Sequence, residues 1–159
     1  MSMNTLSWSP IPEDVKDWLK LAADHWDNPT ESIQYVHQAL KHSGDCMDVL
    51  IAAYRYFFYR SQYELALQMA STICDRIRVA EQLPQEWAQL EPVLAKRKEE
   101  EVIRLYLNAW AASGFTLARL GRFDQAKDIT AKVSAIDSKE FGGSAVVFDV
   151  LTRPPEEDD

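Results

Sequence analysis

The chain has 159 residues, long enough for one domain to bury a self-sufficient core. Its formal charge of −8, from 25 Asp and Glu against 17 Lys and Arg, supplies no field that would gather phosphate backbones or anionic lipid, so neither nucleic acid nor membrane is an expected partner. Two cysteines, Cys46 and Cys74, are too few for a disulfide framework, and the opening MSMNTLSWSPIPED has neither a basic start nor an apolar run. No apolar stretch approaches the ~18 residues that span a bilayer, and a cytoplasmic location is expected.

Only 5 glycines are present, and apolar residues recur at three- and four-residue spacing, which predicts an all-α fold. The first helix opens at SPIPED, where Pro12 is tolerated and Glu13 and Asp14 suit the positive end of the helix dipole. Its inward stripe is Val15, Trp18, Leu19, Ala22 and Trp26. DNPTES interrupts at Pro29, with Thr30 as the expected cap of a second helix that turns Ile33, Val36, Ala39 and Leu40 inward and ends near Gly44. A third helix is expected over about 47–60 and a fourth over about 63–82, the latter with Ala66, Met69, Ala70, Ile73 and Ile77 on one face. EQLPQEWAQLEP reads as irregular or briefly helical because of Pro84 and Pro92.

Beyond Pro92 a single helix is expected to reach Leu120, about 40 Å at ~1.5 Å per residue. Its solvated part is AKRKEEE, paired across a turn as Lys96 with Glu100, and its stripe is Val102, Ile103, Tyr106, Leu107, Trp110, Gly114 and Leu117. GRFD closes it, and Phe123 to about Ile136 forms a last full helix. The region 141–151 is expected as a cap, and TRPPEEDD, 152–159, as a mobile acidic tail.

The chain repeats itself. ESIQYVHQALKHSGD, ELALQMASTICDRIR and DQAKDITAKVSAIDS align without gaps on Ser32, Ala66 and Ala126, with Ala39, Ile73 and Val133 two turns on. WAASGFTLARLGRFDQA resembles a tetratricopeptide repeat: Trp110, Gly114, Leu117 and Ala126 occupy the bulky, small, apolar and small positions of that family, and Leu120, Gly121 and Phe123 its turn. Leu50, Phe57, Tyr63 and Ala66 match a second unit, except that Tyr54 stands where the family has a small residue. Either that hairpin is splayed or its first helix is shifted so that Ala53 makes the contact. Trp18, Leu21, Ala22, His25, Ser32 and Ala39 fit a first unit.

The resemblance implies a right-handed solenoid of about three helical hairpins, over about 13–46, 47–80 and 107–140, within one domain over 13–151. An extension over 1–12 precedes it, and an insertion over 81–106 comes before the third unit. Each hairpin has an apolar face that it cannot bury alone, so stacking creates both a core and a concave surface.

Chemistry has few footholds. His37, His42, Asp45, Cys46 and Asp48 are metal-ligand types without ligand spacing, so no metal site is expected. Glu99, Glu100 and Glu101 point about 100° apart on a helix and cannot pair for acid–base work. No phosphate loop, serine elbow or Cys–His spacing occurs, so neither enzyme activity nor a cofactor is expected. The aromatics of AYRYFFYRSQYELAL are flanked only by Arg55 and Arg60, too little charge to hold a nucleic-acid backbone. Some repeats of the family bind acidic C-terminal tails through Lys and Asn, but the equivalent places here hold Ile51, Arg55, Ala111 and Phe115.

The expected function is therefore that of a non-enzymatic protein-binding scaffold or adaptor, holding a peptide or partner segment on the concave face. That face carries Asp48, Arg55, Phe58, Tyr59, Asn108, Phe115 and Arg119, a mix of aromatic anchors and arginine typical of binding hot spots. Two other readings compete. One is a dedicated chaperone for an unstable client, as in small acidic secretion chaperones that also resemble three such repeats. The other is a homodimer assembled through the helix over 92–120.

Overall fold

A computed structural model describes residues 11–43 and 46–136. Its helices are α1 Glu13–Asp24, α2 Pro29–Ser43, α3 Met47–Tyr59, α4 Tyr63–Ala80, α5 Trp87–Arg97, α6 Glu101–Arg119 and α7 Phe123–Ile136. No strand occurs among the described residues, and the protein is all-α. The cap expected over 141–151 and the tail over 152–159 lie outside the described residues.

Local chemistry sets most helix boundaries. Pro12 precedes α1, with Glu13 and Asp14 in its first turn. The cap of α2 is Asn28, not Thr30: the Asn28 Oδ1 accepts the Glu31 backbone N–H at 3.3 Å, while its amide donates to the Glu31 carboxylate at 3.4 Å. This reciprocal arrangement satisfies an otherwise orphaned donor and puts Pro29 at the first helical position, where a missing N–H costs nothing.

Helices α3, α4 and α6 end alike, each with a left-handed residue just beyond the cap: Ser61 (φ 60°), Gln82 (φ 52°) and Gly121 (φ 81°). In each, two N–H groups fold back onto the last carbonyls, as in Gln62 to Phe57 at 2.8 Å and Arg122 to Leu117 at 2.9 Å.

Helices α1 and α2, α3 and α4, and α6 and α7 pack as antiparallel pairs, and α4 packs along α6 just as extensively. The seam between α2 and α3 is much smaller. At Gly114 helix α6 comes so close to α7 that an added Cβ would lie 3.1 Å from the Ile129 Cγ2. The largest core joins Met47 and Leu50 of α3, Ile73 and Ile77 of α4, Leu90 and Leu94 of α5, and Ile103, Tyr106 and Leu107 of α6. A second core centres on Val36, Ala53, Tyr54, Phe57, Ala66 and Ala70.

The helix expected from Pro92 to Leu120 is instead two. Helix α5 runs through Pro92 and stops at Arg97; Glu100 is extended (φ −76°, ψ 139°), and α6 begins at Glu101. The reason is phase. Leu90 and Leu94 would lie about half a turn from Ile103 and Leu107 on one straight helix, so only a break lets both sets enter one core. Arg97 fastens the joint, donating to the Glu81 carboxylate at 2.5 Å and to that of Glu100 at 2.7 Å. Glu100 thus pairs with Arg97 rather than with Lys96, which is exposed. A dimer seam along one long helix has no such helix to use.

Candidate functional site

Helices α1 and α3 line one groove, and α3 and α6 line a separate cleft. Between α1 and α3 lies an open groove of about 790 Å³, with Leu19, Ala22 and Ala23 of α1, Val36 of α2 and Ala52 of α3 among its lining residues. Trp26 and Asp27 on one side and Arg55, Tyr56 and Tyr59 on the other complete it. Asp48 is exposed and falls on the Ala52, Arg55 and Tyr59 strip of α3 by helical spacing.

Arg55 also lines a narrow apolar cleft between α3 and α6, shared with Ile51, Tyr54, Leu105, Asn108 and Ala112. One turn further along both helices Phe58 stacks on Phe115, with ring centres 5.6 Å apart and planes 17° from parallel. Hence α3 and α6 run in the same direction. The Arg119 guanidinium stands over three rings, 5.3 Å from Phe115, 5.5 Å from Phe58 and 5.8 Å from Tyr63, and donates to the Tyr63 hydroxyl at 3.2 Å.

The seven residues singled out in the sequence therefore fall into three places. Arg55 and Tyr59 line the groove, the Arg55 guanidinium 6.0 Å from the Tyr59 ring centre, with Asp48 on their strip. Asn108 lies in the cleft. Phe58, Phe115 and Arg119 form the stacked cluster, in which Phe58 is buried (4% exposed) and supports Phe115 (38% exposed).

Tyr54 is buried with its hydroxyl 3.3 Å from the Thr116 Oγ1 on α6, and loss of hydration on burial raises its pKa; Ala53 beside it has no accessible surface.

A set of residues outside those seven holds the groove in shape. Ser32, fully buried on α2, donates to the Ala22 carbonyl of α1 at 2.6 Å and lies 2.6 Å from the Tyr56 hydroxyl of α3. Because the serine hydrogen goes to the carbonyl, Tyr56 donates to Ser32 and itself accepts from the Arg60 Nε at 3.1 Å. Arg60 also donates to the Trp26 carbonyl, with its guanidinium carbon 3.8 Å from the Trp26 ring centre. The Ala22 carbonyl is one of the four that a helix leaves unpaired at its C-terminus, so a serine from the neighbouring helix completes α1. The sequence signal was faint: a serine at an inward position of α2, and Tyr56 and Arg60 one turn apart.

Among the described residues no three His, Cys, Asp or Glu side chains gather as a metal site. His37 packs 6.0 Å from Phe57 and His42 4.6 Å from Trp18, ring centre to ring centre. No described helix is long and apolar enough to cross a membrane.

No family model matches the chain, and no solved structure matches it. It is similar to an uncharacterized 19.8 kDa protein in the nifW 5' region of Azotobacter chroococcum mcd 1, with 29% identity over 147 residues, covering 91% of this chain and 81% of that protein.

Proposed function

We propose that the protein is a non-enzymatic interaction module, a short solenoid of tetratricopeptide-like hairpins whose concave face, made by α1, α3 and α6, holds a segment of a partner protein. The observation that carries this reading is the groove between α1 and α3. It is floored by small and apolar side chains and edged by Trp26, Tyr59 and Arg55, the residue types that dominate binding energy in protein interfaces. The hydrogen-bond chain through Ser32, Tyr56 and Arg60 supports the reading, because a groove held open in advance loses less freedom on binding.

The test is affinity capture from an extract of the source cells, followed by mass spectrometry, with the native protein and with an Arg55→Ala, Tyr59→Ala double variant. The native protein is expected to retain a defined protein set that the variant loses, with helix content and melting temperature nearly unchanged. Equal retention by both, or unfolding of the variant, refutes this face. A single client, insoluble when the module is absent, identifies the module as that client's chaperone.

A further inference from the structure

An open groove of about 390 Å³ runs along α7, lined by Ala118 of α6 and, on α7 itself, by Phe123, Ala126, Thr130 and Ser134 among others. Phe123 is 60% exposed there, and Thr130, Ala131 and Ser134 are exposed beside it. The groove has a counterpart elsewhere in the molecule. With α4 and α7 aligned on Ala66 and Ala126, Ala118, Phe123, Thr130 and Ser134 stand where the preceding pair has Phe58, Tyr63, Ala70 and Cys74. The turns agree with this register, since Ser61 and Gly121 are both left-handed.

All four residues of the preceding pair meet α6. Phe58 stacks on Phe115, and the Tyr63 hydroxyl accepts from Arg119 at 3.2 Å. Ala70 lines the cleft with Leu105 and Ala112, and Cys74 shares the largest core with Ile103 and Tyr106. The groove on α7 is therefore the same face by which α3 and α4 receive the next helix, here left open. Because α6 runs along α4 from Cys74 towards Tyr63, the occupant of the groove on α7 runs from Ser134 towards Phe123.

From this equivalence we infer that the groove seats a later segment of the same chain, AVVFDVL at 145–151, lying antiparallel to α7. The chain leaves α7 at Ile136, beside Ser134, which is where such an occupant has to begin. The eight residues from 137 to 144 are enough for the reversal, as helix connections in compact domains commonly take two to about eight. Ser134 and Phe123 are about 16 Å apart along the axis at ~1.5 Å per residue, and seven residues span about 10 Å as a helix or about 23 Å extended. Six of the seven are apolar, which suits a groove floored by alanines and walled by a phenylalanine.

A second copy fits less well. The strip offered by the 14 residues of α7 is about 21 Å long and ~10 Å wide, roughly 200 Å², against about 800 Å² per partner in a stable interface. A tethered segment makes the same contact without the loss of translational freedom that association costs. This inference is independent of the partner-binding function proposed above.

The test is photo-crosslinking of the full chain with a benzophenone amino acid in place of Phe123, at low and high protein concentration. Crosslinks are expected within one chain, onto the end of the segment at Val150 and Leu151, at both concentrations. They should vanish in a Val147→Asp, Phe148→Asp variant and in Ala131→Glu, which obstructs the groove from its own side. In the first variant, checked for native helix content, hydrogen exchange in α7 should quicken roughly three- to tenfold while α1 and α2 keep their rates. Crosslinks that join two chains and grow with concentration would assign the groove to a second copy and overturn the inference. Crosslinks elsewhere in the chain, no crosslink at all, or exchange in α7 that ignores the variant would overturn it as well.

Discussion

Tyr56 on α3 and Ser32 on α2 share a hydrogen bond of 2.6 Å whose hydrogen belongs to the tyrosine, since the serine spends its own on the Ala22 carbonyl of α1. Three helices are thus tied by two hydroxyls. Tyr56→Phe strands the Ser32 acceptor and the Arg60 donor and is expected to cost about 1–2 kcal/mol, as is Ser32→Ala. Urea unfolding of both single variants and the double variant should show that the two losses do not add. Hydrogen exchange should quicken in α1 and α2 more than in α6, because the packed seam between α2 and α3 is small. A uniform rise across all helices would contradict the role given to the bond.

Ser61 and Gln82 adopt the backbone that Gly121 adopts at the equivalent end of α6, and they do so with a side chain. A left-handed residue with a Cβ carries strain of about 1–2 kcal/mol, partly offset in glycine by the larger freedom that it loses on folding. Ser61→Gly and Gln82→Gly are each expected to stabilise the protein by about 0.5–1 kcal/mol. Melting temperatures that fall in both variants would show that these turns are not strained.

Gly114 illustrates the opposite case. In a helix interior alanine is worth about 1 kcal/mol more than glycine, yet a Cβ here meets the Ile129 Cγ2 at 3.1 Å and its Cβ at 3.3 Å. The second of these atoms is fixed to the backbone of α7, so the helices must separate. Gly114→Ala is expected to lose about 0.5–1.5 kcal/mol in the native background, but to gain about 0.5–1 kcal/mol once Ile129→Ala has cleared the space. Chemical unfolding of the four proteins would expose the change of sign, and its absence would mean that the contact does not limit the approach of α7.

Alkaline pH should weaken the fold. Burial pushes the Cys74 thiol from its ordinary 9.0 up to about 12 and raises Tyr54 and Tyr106 above their ordinary 10.0. Between the unfolded and folded values the folded state holds more protons than the unfolded chain, so stability falls as pH rises. The contribution is intact below about pH 9, erodes first through Cys74, and erodes further through the tyrosines above about pH 10. Cys74→Ala is expected to flatten the early part of the slope and Tyr54→Phe the later part. Urea midpoints that stay level from about pH 8 to about pH 10.5 would rule this out.

Periodicity in the sequence located α3, α4 and α7 within a residue or two, because each buries one regular stripe and ends at a recognisable turn. The break between α5 and α6 was hidden by composition: Lys98, Lys96 and the three glutamates are good helix formers, and nothing at the joint is a Gly or Pro. The usable signal was the phase of Leu90 and Leu94 against Ile103 and Leu107. Repeat alignment placed Arg55 and Tyr59 on one first helix and Arg119 on another, and they lie on α3 and α6. It put Ser32 at the small inward position of its unit but not the hydrogen bonds that join Ser32 to Tyr56 and Tyr56 to Arg60, because Ser32 and Tyr56 touch only when separate hairpins are brought together and no local pattern marks such a meeting.

The seam between α4 and α6 also orders events during synthesis. Helices α3 and α4 leave the ribosome with Ile73, Ile77 and Phe58 lacking the α6 surface that covers them, since Tyr106, Leu107 and Phe115 are translated a full insertion later. The two larger cores therefore stay open on one side until residue 119 has emerged. The nascent chain keeps one side of its most aromatic helix uncovered through this stretch, which makes the interval between α4 and α6 the stage at which a holding factor would act.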